Sequence, residues 1–138
     1  MKKVTFVCTG NTCRSPMAAA IAAKRATEEG RAVQFISAGL AAADGQPASL
    51  NAAVVCDEIG IDLSTHRSRQ LTAELLNDSD MIVCMSRSHM AALGGYADKV
   101  CLLGDGIADP FGGNVAVYRA CRDQIAAEID RMWGEICD

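Results

Sequence analysis

Residues 3–16 of the chain read KVTFVCTGNTCRSP and join a strand to a helix through one short loop. Lys3 to Cys8 is rich in β-branched residues and predicts a strand. Pro16 suits the first turn of a helix with Ser15 as its N-cap, and the alanine-rich stretch that follows runs to Gly30, a typical helix stop. The segment therefore predicts a strand–loop–helix unit with a cysteine at the carboxyl end of its strand.

The rest of the chain alternates strands and helices in the same way. Further strands are predicted at Val33 to Ser37, Met81 to Met85 and Lys99 to Leu103. Helices are predicted at Pro47 to Ile59, Thr72 to Leu76 and Ser88 to Leu93. A last helix is predicted from Tyr118 to Ile136, because its apolar residues, Trp133 among them, lie on one face. This alternation predicts an α/β fold, a four-stranded parallel sheet flanked by helices on both faces. Because ligands of such sheets bind beyond the carboxyl ends of the strands, the loop after the first strand is a candidate site.

The composition limits the classes of function. A chain of 138 residues, 50% of them hydrophobic, predicts one folded domain over residues 1–138. A net charge of −4 argues against nucleic acids and anionic membranes as partners, because both demand a basic surface. No segment resembles a signal peptide or a membrane span, and seven cysteines without paired spacing do not suggest a disulfide scaffold or a zinc site. We therefore expect a cytoplasmic monomer without a metal or another cofactor.

The loop after the first strand has the spacing of a phosphate-binding site with a nucleophile. Five residues separate Cys8 from Arg14, so loop N–H groups, the positive end of the next helix and the guanidinium can converge on one phosphoryl group. Gly10 eases the curl of the loop. The same dipoles stabilise a thiolate at Cys8 that can attack phosphorus, while Ser15 donates a hydrogen bond to the sulfur. The competing interpretation is a buried cysteine beside an unrelated helix; a Walker loop is excluded because its Gly-Lys-Ser/Thr is missing.

The sequence VCTGNTCRSPM at residues 7–17 resembles the signature of the low-molecular-weight protein tyrosine phosphatases, and the resemblance covers essentially the whole chain. It implies that Cys8 and Arg14 are catalytic. It also implies that the whole loop binds phosphate through Thr9, Gly10, Asn11, Thr12, Cys13, Arg14 and Ser15. The family further implies a supporting hydrogen-bond network made by Asn11, Ser15, Ser37 and His66. A catalytic base and an exposed loop histidine are the alternatives for His66.

A thiolate that attacks phosphorus needs an acid to protonate the leaving group, and Asp109 is the candidate. Pro110 keeps Asp109 out of a helix, in a Gly- and Asp-rich loop from Gly104 to Asn114 that can close over a substrate. The dipeptide alone is better explained as an ordinary turn, but the run DPFGG resembles the family's acid loop. Asp105 is the rival carboxylate and lacks a following proline. Phe111 is expected to form a pocket wall, with simple packing as the alternative.

The leaving group is chosen by the residues around the pocket. Tyrosine-directed members of the family carry a larger aliphatic residue at Thr12 and an aromatic pair after the Asp-Pro, whereas this chain has only Phe111 there. Both features resemble the bacterial protein-arginine phosphatases, as do the runs VYR at 117–119 and RD at 122–123. A small hydroxyl side chain leaves room for a planar guanidinium and offers it a polar partner. The expected partners are phosphorylated protein substrates, with phosphoarginine favoured and phosphotyrosine as the alternative.

Three other interpretations stay open. A thioredoxin-coupled arsenate reductase uses a similar loop and two relay cysteines, but Cys84 lies in an apolar run with no second cysteine nearby. A non-catalytic phosphate-binding module, or a regulatory protein that binds a partner through its acidic surface, would usually lack the nucleophile, the clamp or the acid, and all three are present.

The loop also carries a redox prediction. Cys8 and Cys13 lie five residues apart on a curled loop, which favours a reversible disulfide over a packing role for Cys13.

Overall fold

The protein is described by a computed structural model that covers residues 1–138. Its four strands are β1 (Lys2–Cys8), β2 (Val33–Gly39), β3 (Met81–Cys84) and β4 (Val100–Leu102). They form one parallel sheet in the order β2-β1-β3-β4. The helices are α1 (Arg14–Glu29), α2 (Leu50–Asp57), α3 (Ala73–Asp78), α4 (Arg87–Ala92), α5 (Val115–Arg131) and α6 (Trp133–Cys137), with a 3₁₀ turn at Gly94–Tyr96. The predicted α/β fold with a four-stranded parallel sheet is confirmed.

Helices cover both faces of the sheet because alternate residues of a strand point in opposite directions. Val4 and Phe6 of β1 belong to a cluster of 24 buried residues that they share with α1, α2, α5 and α6. Val7 of β1 and Ile82 of β3 belong to a second cluster of 7 buried residues on the side of α3 and α4. Trp133 is buried in the larger cluster, as predicted.

The strand order brings three loops to one edge of the sheet. The chain leaves β1 towards β2 on one side and continues through β3 on the other, so a crevice opens at the carboxyl ends of β1 and β3. The loop after β1 and the start of α4 lie at this edge. The loop after β4 is tied to it, since Ile107 N–H donates to the Met85 carbonyl at 2.7 Å. The fold therefore gathers segments that are distant in the sequence around Cys8.

Two helix starts differ from the sequence prediction. The N-cap of α1 is Cys13 rather than Ser15, because the helix already begins at Arg14 and the Ser15 hydroxyl faces the sulfur of Cys8 instead. The predicted start of α2 at Pro47 is wrong as well. That helix begins at Leu50, after Ser49, whose hydroxyl accepts the N–H of Ala52 as an N-cap.

The C-terminal helix is broken, whereas one continuous helix was predicted. Met132 ends α5 with φ −96° and ψ 6°, and α6 begins at the next residue. Buried residues on both sides of the break, Ile129 and Ile136, belong to the same cluster. A break that keeps the apolar residues on one side leaves the hydrophobic periodicity nearly intact, which is why the sequence did not reveal it. No helix of the protein combines the length and the apolarity needed to cross a membrane.

Candidate active site

The segment from Cys8 to Arg14, here called the phosphate loop, places a thiol at the start of a long helix. The Cys8 sulfur lies 2.9 Å from the Ser15 hydroxyl oxygen in the first turn of α1. Cys8 and Arg14 are 3% and 6% exposed, respectively. The helix N-terminus and a hydroxyl donor both favour a negative charge at that sulfur, so the geometry suits a thiolate nucleophile.

Asn11 holds the phosphate loop in shape from within. It is fully buried and adopts a left-handed conformation with φ 57°, which asparagine tolerates better than most residues. Its side-chain amide donates to the hydroxyl oxygens of Ser15 at 2.8 Å and Ser37 at 3.0 Å. Its side-chain oxygen accepts the N–H of Arg69 at 2.9 Å. Asn11 therefore links the loop to α1, to β2 and to the segment before Leu71.

His66 supports the same residue from outside. Its Nε2 atom lies 2.7 Å from the Asn11 carbonyl oxygen, and because a carbonyl only accepts, Nε2 must carry the proton. Burial lowers the pKa of His66, although the hydrogen bond to Asn11 opposes this. The imidazole contacts the back of the phosphate loop and does not line the pocket next to Cys8, which is described below. Its position therefore fits an orienting role better than that of a catalytic base.

Gly39 allows β2 to approach the phosphate loop closely. The strand extends two residues beyond the predicted end at Ser37. A Cβ atom on Gly39 would lie 2.5 Å from the Thr9 carbonyl oxygen and 3.1 Å from Cβ of Asn11. Such distances are incompatible with a side chain, so a glycine is required here by contact with the neighbouring backbone rather than by a turn.

The loop from Gly104 to Asn114, here called the acid loop, meets the phosphate loop at Arg14. Nη1 of Arg14 donates to the Ile107 carbonyl at 2.9 Å, and Nη2 lies 3.7 Å from Oδ2 of Asp109. The other carboxyl oxygen of Asp109 accepts the N–H of Phe111 at 3.0 Å. Asp109, and not its rival Asp105, therefore faces the guanidinium.

One pocket of about 300 Å³ unites these groups. It is lined by Cys8, Thr9, Gly10, Thr12, Cys13, Arg14, Asp109 and Phe111. The other predicted site residues, Asn11, Ser15, Ser37 and His66, are not part of this lining. Ser15 contacts it at the Cys8 sulfur, Asn11 donates to Ser15, and Ser37 and His66 are hydrogen-bonded to Asn11. Phe111 is 81% exposed and stands at the rim, which argues against the alternative that it merely packs in the core.

Three side-chain contacts of the pocket residues were not predicted from the sequence. The Cys13 sulfur lies 3.4 Å from the hydroxyl oxygens of both Tyr118 and Ser49. His89 lies 2.9 Å from the hydroxyl oxygen of Thr9. Tyr118 was predicted on the apolar face of the last helix and in the run VYR that resembles the arginine phosphatases, but without a contact to Cys13, and His89 had no assigned role. No local pattern signals these contacts, because the partners are 36 to 105 residues apart.

The remaining thiols bear on the redox interpretations. Cys8 and Cys13 are both free in the structure, and their reversible disulfide stays a prediction. Cys84 is fully buried, and burial raises the pKa of its thiol to about 12. A disulfide relay needs an accessible thiolate, so the environment of Cys84 does not suit one.

Comparison with known proteins agrees with this geometry. Residues 3–137 match the family model described as low molecular weight phosphotyrosine protein phosphatase. A protein-arginine-phosphatase of Geobacillus stearothermophilus is 41% identical over 142 residues, which cover 94% of this chain and 93% of that protein. An arsenate reductase of Brevibacillus brevis is 34% identical over 139 residues, which cover 95% and 93% of the two chains.

Solved structures give the same picture. The low molecular weight protein tyrosine phosphatase from T. tengcongensis superimposes with a TM-score of 0.93 at 36% identity, over 98% of this chain and 99% of that one. A mutant of YwlE arginine phosphatase that carries a phosphorylated active-site serine superimposes with a TM-score of 0.90 at 34% identity, over 97% and 95% of the two chains.

Proposed function

Because this chain belongs to the low molecular weight phosphotyrosine protein phosphatase family and is a cysteine-dependent protein phosphatase, we propose that its preferred substrates are proteins phosphorylated on arginine. Proteins phosphorylated on tyrosine are the alternative substrates. The observation that supports arginine is the lining of the pocket, where two threonines stand beside Asp109 and Phe111 is the only aromatic residue. A wall of this kind offers hydrogen-bond partners to a planar guanidinium and little stacking surface to an aryl ring.

In the proposed first step, the Cys8 thiolate attacks phosphorus. The sulfur electron pair forms the S–P bond while the P–N bond of phosphoarginine breaks, and its electron pair goes to the nitrogen. Asp109 donates a proton to that nitrogen, so the arginine side chain leaves as an ordinary guanidinium. Arg14 and the loop N–H groups bind the phosphoryl oxygens throughout, where the negative charge develops.

In the proposed second step, water hydrolyses the cysteinyl-phosphate. Asp109, now a carboxylate, takes a proton from the water as the water oxygen bonds to phosphorus. The S–P electron pair returns to Cys8, which leaves as a thiolate next to the Ser15 hydroxyl. Inorganic phosphate departs and the enzyme regains its starting protonation state.

Substitution of Thr12 tests the choice of leaving group. We expect Thr12→Ile to shift the ratio of kcat/KM for phosphoarginine over phosphotyrosine peptides at least about tenfold towards phosphotyrosine, because an apolar wall favours an aryl ring. Thr12→Ser keeps the hydroxyl and should retain the preference of the wild type. Cys8→Ser should abolish turnover of both peptides. An unchanged ratio in Thr12→Ile would remove the argument for arginine.

The arsenate reductase alternative has weaker support in this chain, despite the similarity to one such enzyme. Cys84, at the carboxyl end of β3, and Cys121, in α5, are both buried. Burial raises the pKa of each of these two thiols to about 12. Neither environment favours the accessible thiolate that a relay requires.

The proposed redox protection of the nucleophile can be tested with peroxide. We expect mild peroxide to inactivate the enzyme through a Cys8–Cys13 disulfide, and thiol reductant to restore nearly all of the activity. Cys13→Ala should instead be inactivated irreversibly, because its Cys8 lacks a partner and proceeds to the sulfinic acid. Inactivation of the wild type that reductant does not reverse would contradict the disulfide.

We also propose that the protein acts as a monomer in the cytoplasm, because that reducing compartment keeps a catalytic thiolate of this kind in its active form.

A further inference from the structure

His89 is a buried polar side chain that touches the phosphate loop from a separate element. It belongs to α4, follows β3 in the chain and is 5% exposed. Its Nε2 atom lies 2.9 Å from the hydroxyl oxygen of Thr9, the residue after the nucleophile. Its backbone N–H donates to the Ser86 hydroxyl, the N-cap of α4. His89 thus connects the end of β3 to the loop that starts at the end of β1.

The second ring nitrogen of His89 indicates the direction of this hydrogen bond. Nδ1 is buried and has no hydrogen-bond partner in the protein. A neutral imidazole carries one N–H, and a buried N–H without an acceptor is rarer in proteins than a buried acceptor without a donor. The doubly protonated form is also disfavoured, because burial and then the charge of Arg14 lower the pKa of His89, against the opposite effect of Asp109. We therefore assign the proton to Nε2, so that His89 donates to Thr9.

This direction leaves the proton of the Thr9 hydroxyl available. Thr9 lines the pocket beside Cys8 and Arg14, and its side chain is exposed. An exposed hydroxyl ordinarily rotates and exchanges its hydrogen bonds with water. Once its oxygen accepts from His89, the rotation is restricted and its own proton can be donated to another acceptor. The oxygen atoms of a phosphorylated group in the pocket are strong acceptors.

We propose that His89 is a positioning residue that holds the Thr9 hydroxyl on the pocket wall as a hydrogen-bond donor to the bound substrate. Thr9 is the group that touches the substrate, and His89 acts through it. Because the fold already fixes the hydroxyl, binding and reaction do not have to order it. The inference concerns phosphate-ester hydrolysis as such, so it stands or falls independently of the preference for phosphoarginine.

A double-mutant cycle on a generic aryl phosphate tests the pair. We expect Thr9→Val and His89→Leu each to lower kcat/KM about tenfold, as the loss of one hydrogen bond to a charged group would. The double variant should lose no more than either single variant, because both substitutions remove the same interaction. His89→Gln, whose amide can donate in place of Nε2, should stay within about threefold of the wild type.

Controls separate this role from a purely structural one. Met90→Ala removes a half-buried side chain from the same helix and should leave kcat/KM unchanged. Losses that multiply to about hundredfold in the double variant, or a His89→Gln variant as slow as His89→Leu, would overturn the proposal.

The tautomer can be measured even if His89→Leu does not fold. In the wild type, ¹⁵N NMR of labelled histidine at pH 7.5 should show His89 protonated at Nε2 and bare at Nδ1. In Thr9→Val, which changes only an exposed side chain, the Nε2 signal should shift because its acceptor is gone. A proton found on Nδ1 of the wild type would refute the donor geometry.

Discussion

In the phosphate loop, Asn11 is fully buried and its side chain makes three hydrogen bonds, whereas in the acid loop Asp109 is 53% exposed and Phe111 is 81% exposed. Both loops line the same pocket, and Arg14 bridges them through the Ile107 carbonyl. The side chain of Asp109 accepts one hydrogen bond, from a residue of its own loop.

The difference corresponds to two separate chemical demands. Stabilising a thiolate and a phosphoryl dianion requires dipoles that are fixed before the substrate arrives, because reorienting them during reaction would cost free energy. A general acid must approach the leaving group and later a water molecule, so it benefits from a loop that can move. In the proposed mechanism, the loop that would bind charge is cross-linked around the buried Asn11, and the loop that would carry the general acid is exposed at Asp109 and Phe111.

Asp109→Asn isolates the acid loop and has the largest expected effect. We expect kcat for a phosphoarginine peptide to fall by about 10³-fold, as is typical for removal of a general acid. The melting temperature and the inhibition constant of inorganic phosphate should change little, because the side chain is exposed and the phosphate loop is untouched. Asp105→Asn is the matched control and should behave as the wild type. A large loss of stability in Asp109→Asn would contradict the contrast, because it would show that the acid loop also depends on this side chain for its structure.

Asn11→Ala tests the phosphate loop, where we expect both the activity and the stability to fall. We expect kcat/KM to drop by about 10²-fold and the free energy of unfolding to fall by about 2–3 kcal/mol, since hydrogen bonds are lost and alanine resists a positive φ. Asn11→Gly permits that φ and should recover part of the stability while remaining slow. Urea unfolding and aryl phosphate kinetics measure both. Wild-type activity in Asn11→Ala would show that the loop does not depend on this network.

The pH dependence of stability gives the smallest effect. Burial lowers the pKa of His66 and of His89 from 6.5, and both contact the phosphate loop. The unfolded chain therefore binds protons that the folded protein excludes, so the free energy of unfolding falls as pH drops below about 6.5. The slope is at most about 1.4 kcal/mol per pH unit for each histidine.

Urea unfolding at pH 7.5 and pH 5.5 can measure this effect. His66→Gln should lose less stability than the wild type between these two values, and an equal loss would contradict the assignment. Between pH 7.5 and pH 5.5 the most strongly shifted carboxylates do not change the stability. Hydrogen bonds from Arg25 and Arg119 lower the pKa values of Glu29 and Glu58, respectively, to about 2, so the stabilisation that these two carboxylates give is lost only as pH falls below about 4.5.

Helix ends show where sequence patterns stop being informative. Ser15 has the residue type and the position of an N-cap, yet its hydroxyl is used at the Cys8 sulfur and helix α1 starts at Arg14, two residues before the predicted Pro16. Ser49 caps α2, but Pro47 gave a plausible start two residues before it. In both places the local signal permitted more than one structure. The contact with the Cys8 sulfur decided the first, and the first helical hydrogen bonds decided the second.

The sequence by itself determined the strand–loop–helix unit around Cys8, the alternation that makes a parallel sheet and the identity of the pocket residues, because these follow from short-range periodicity and from a signature of consecutive residues. Only the tertiary structure decided that Gly39 lies against Thr9, that Tyr118 and Ser49 reach Cys13, and that His89 holds the Thr9 hydroxyl. These contacts join residues that lie far apart in the chain and become neighbours only when the strands pair. A pattern read along the chain carries no information about such distances.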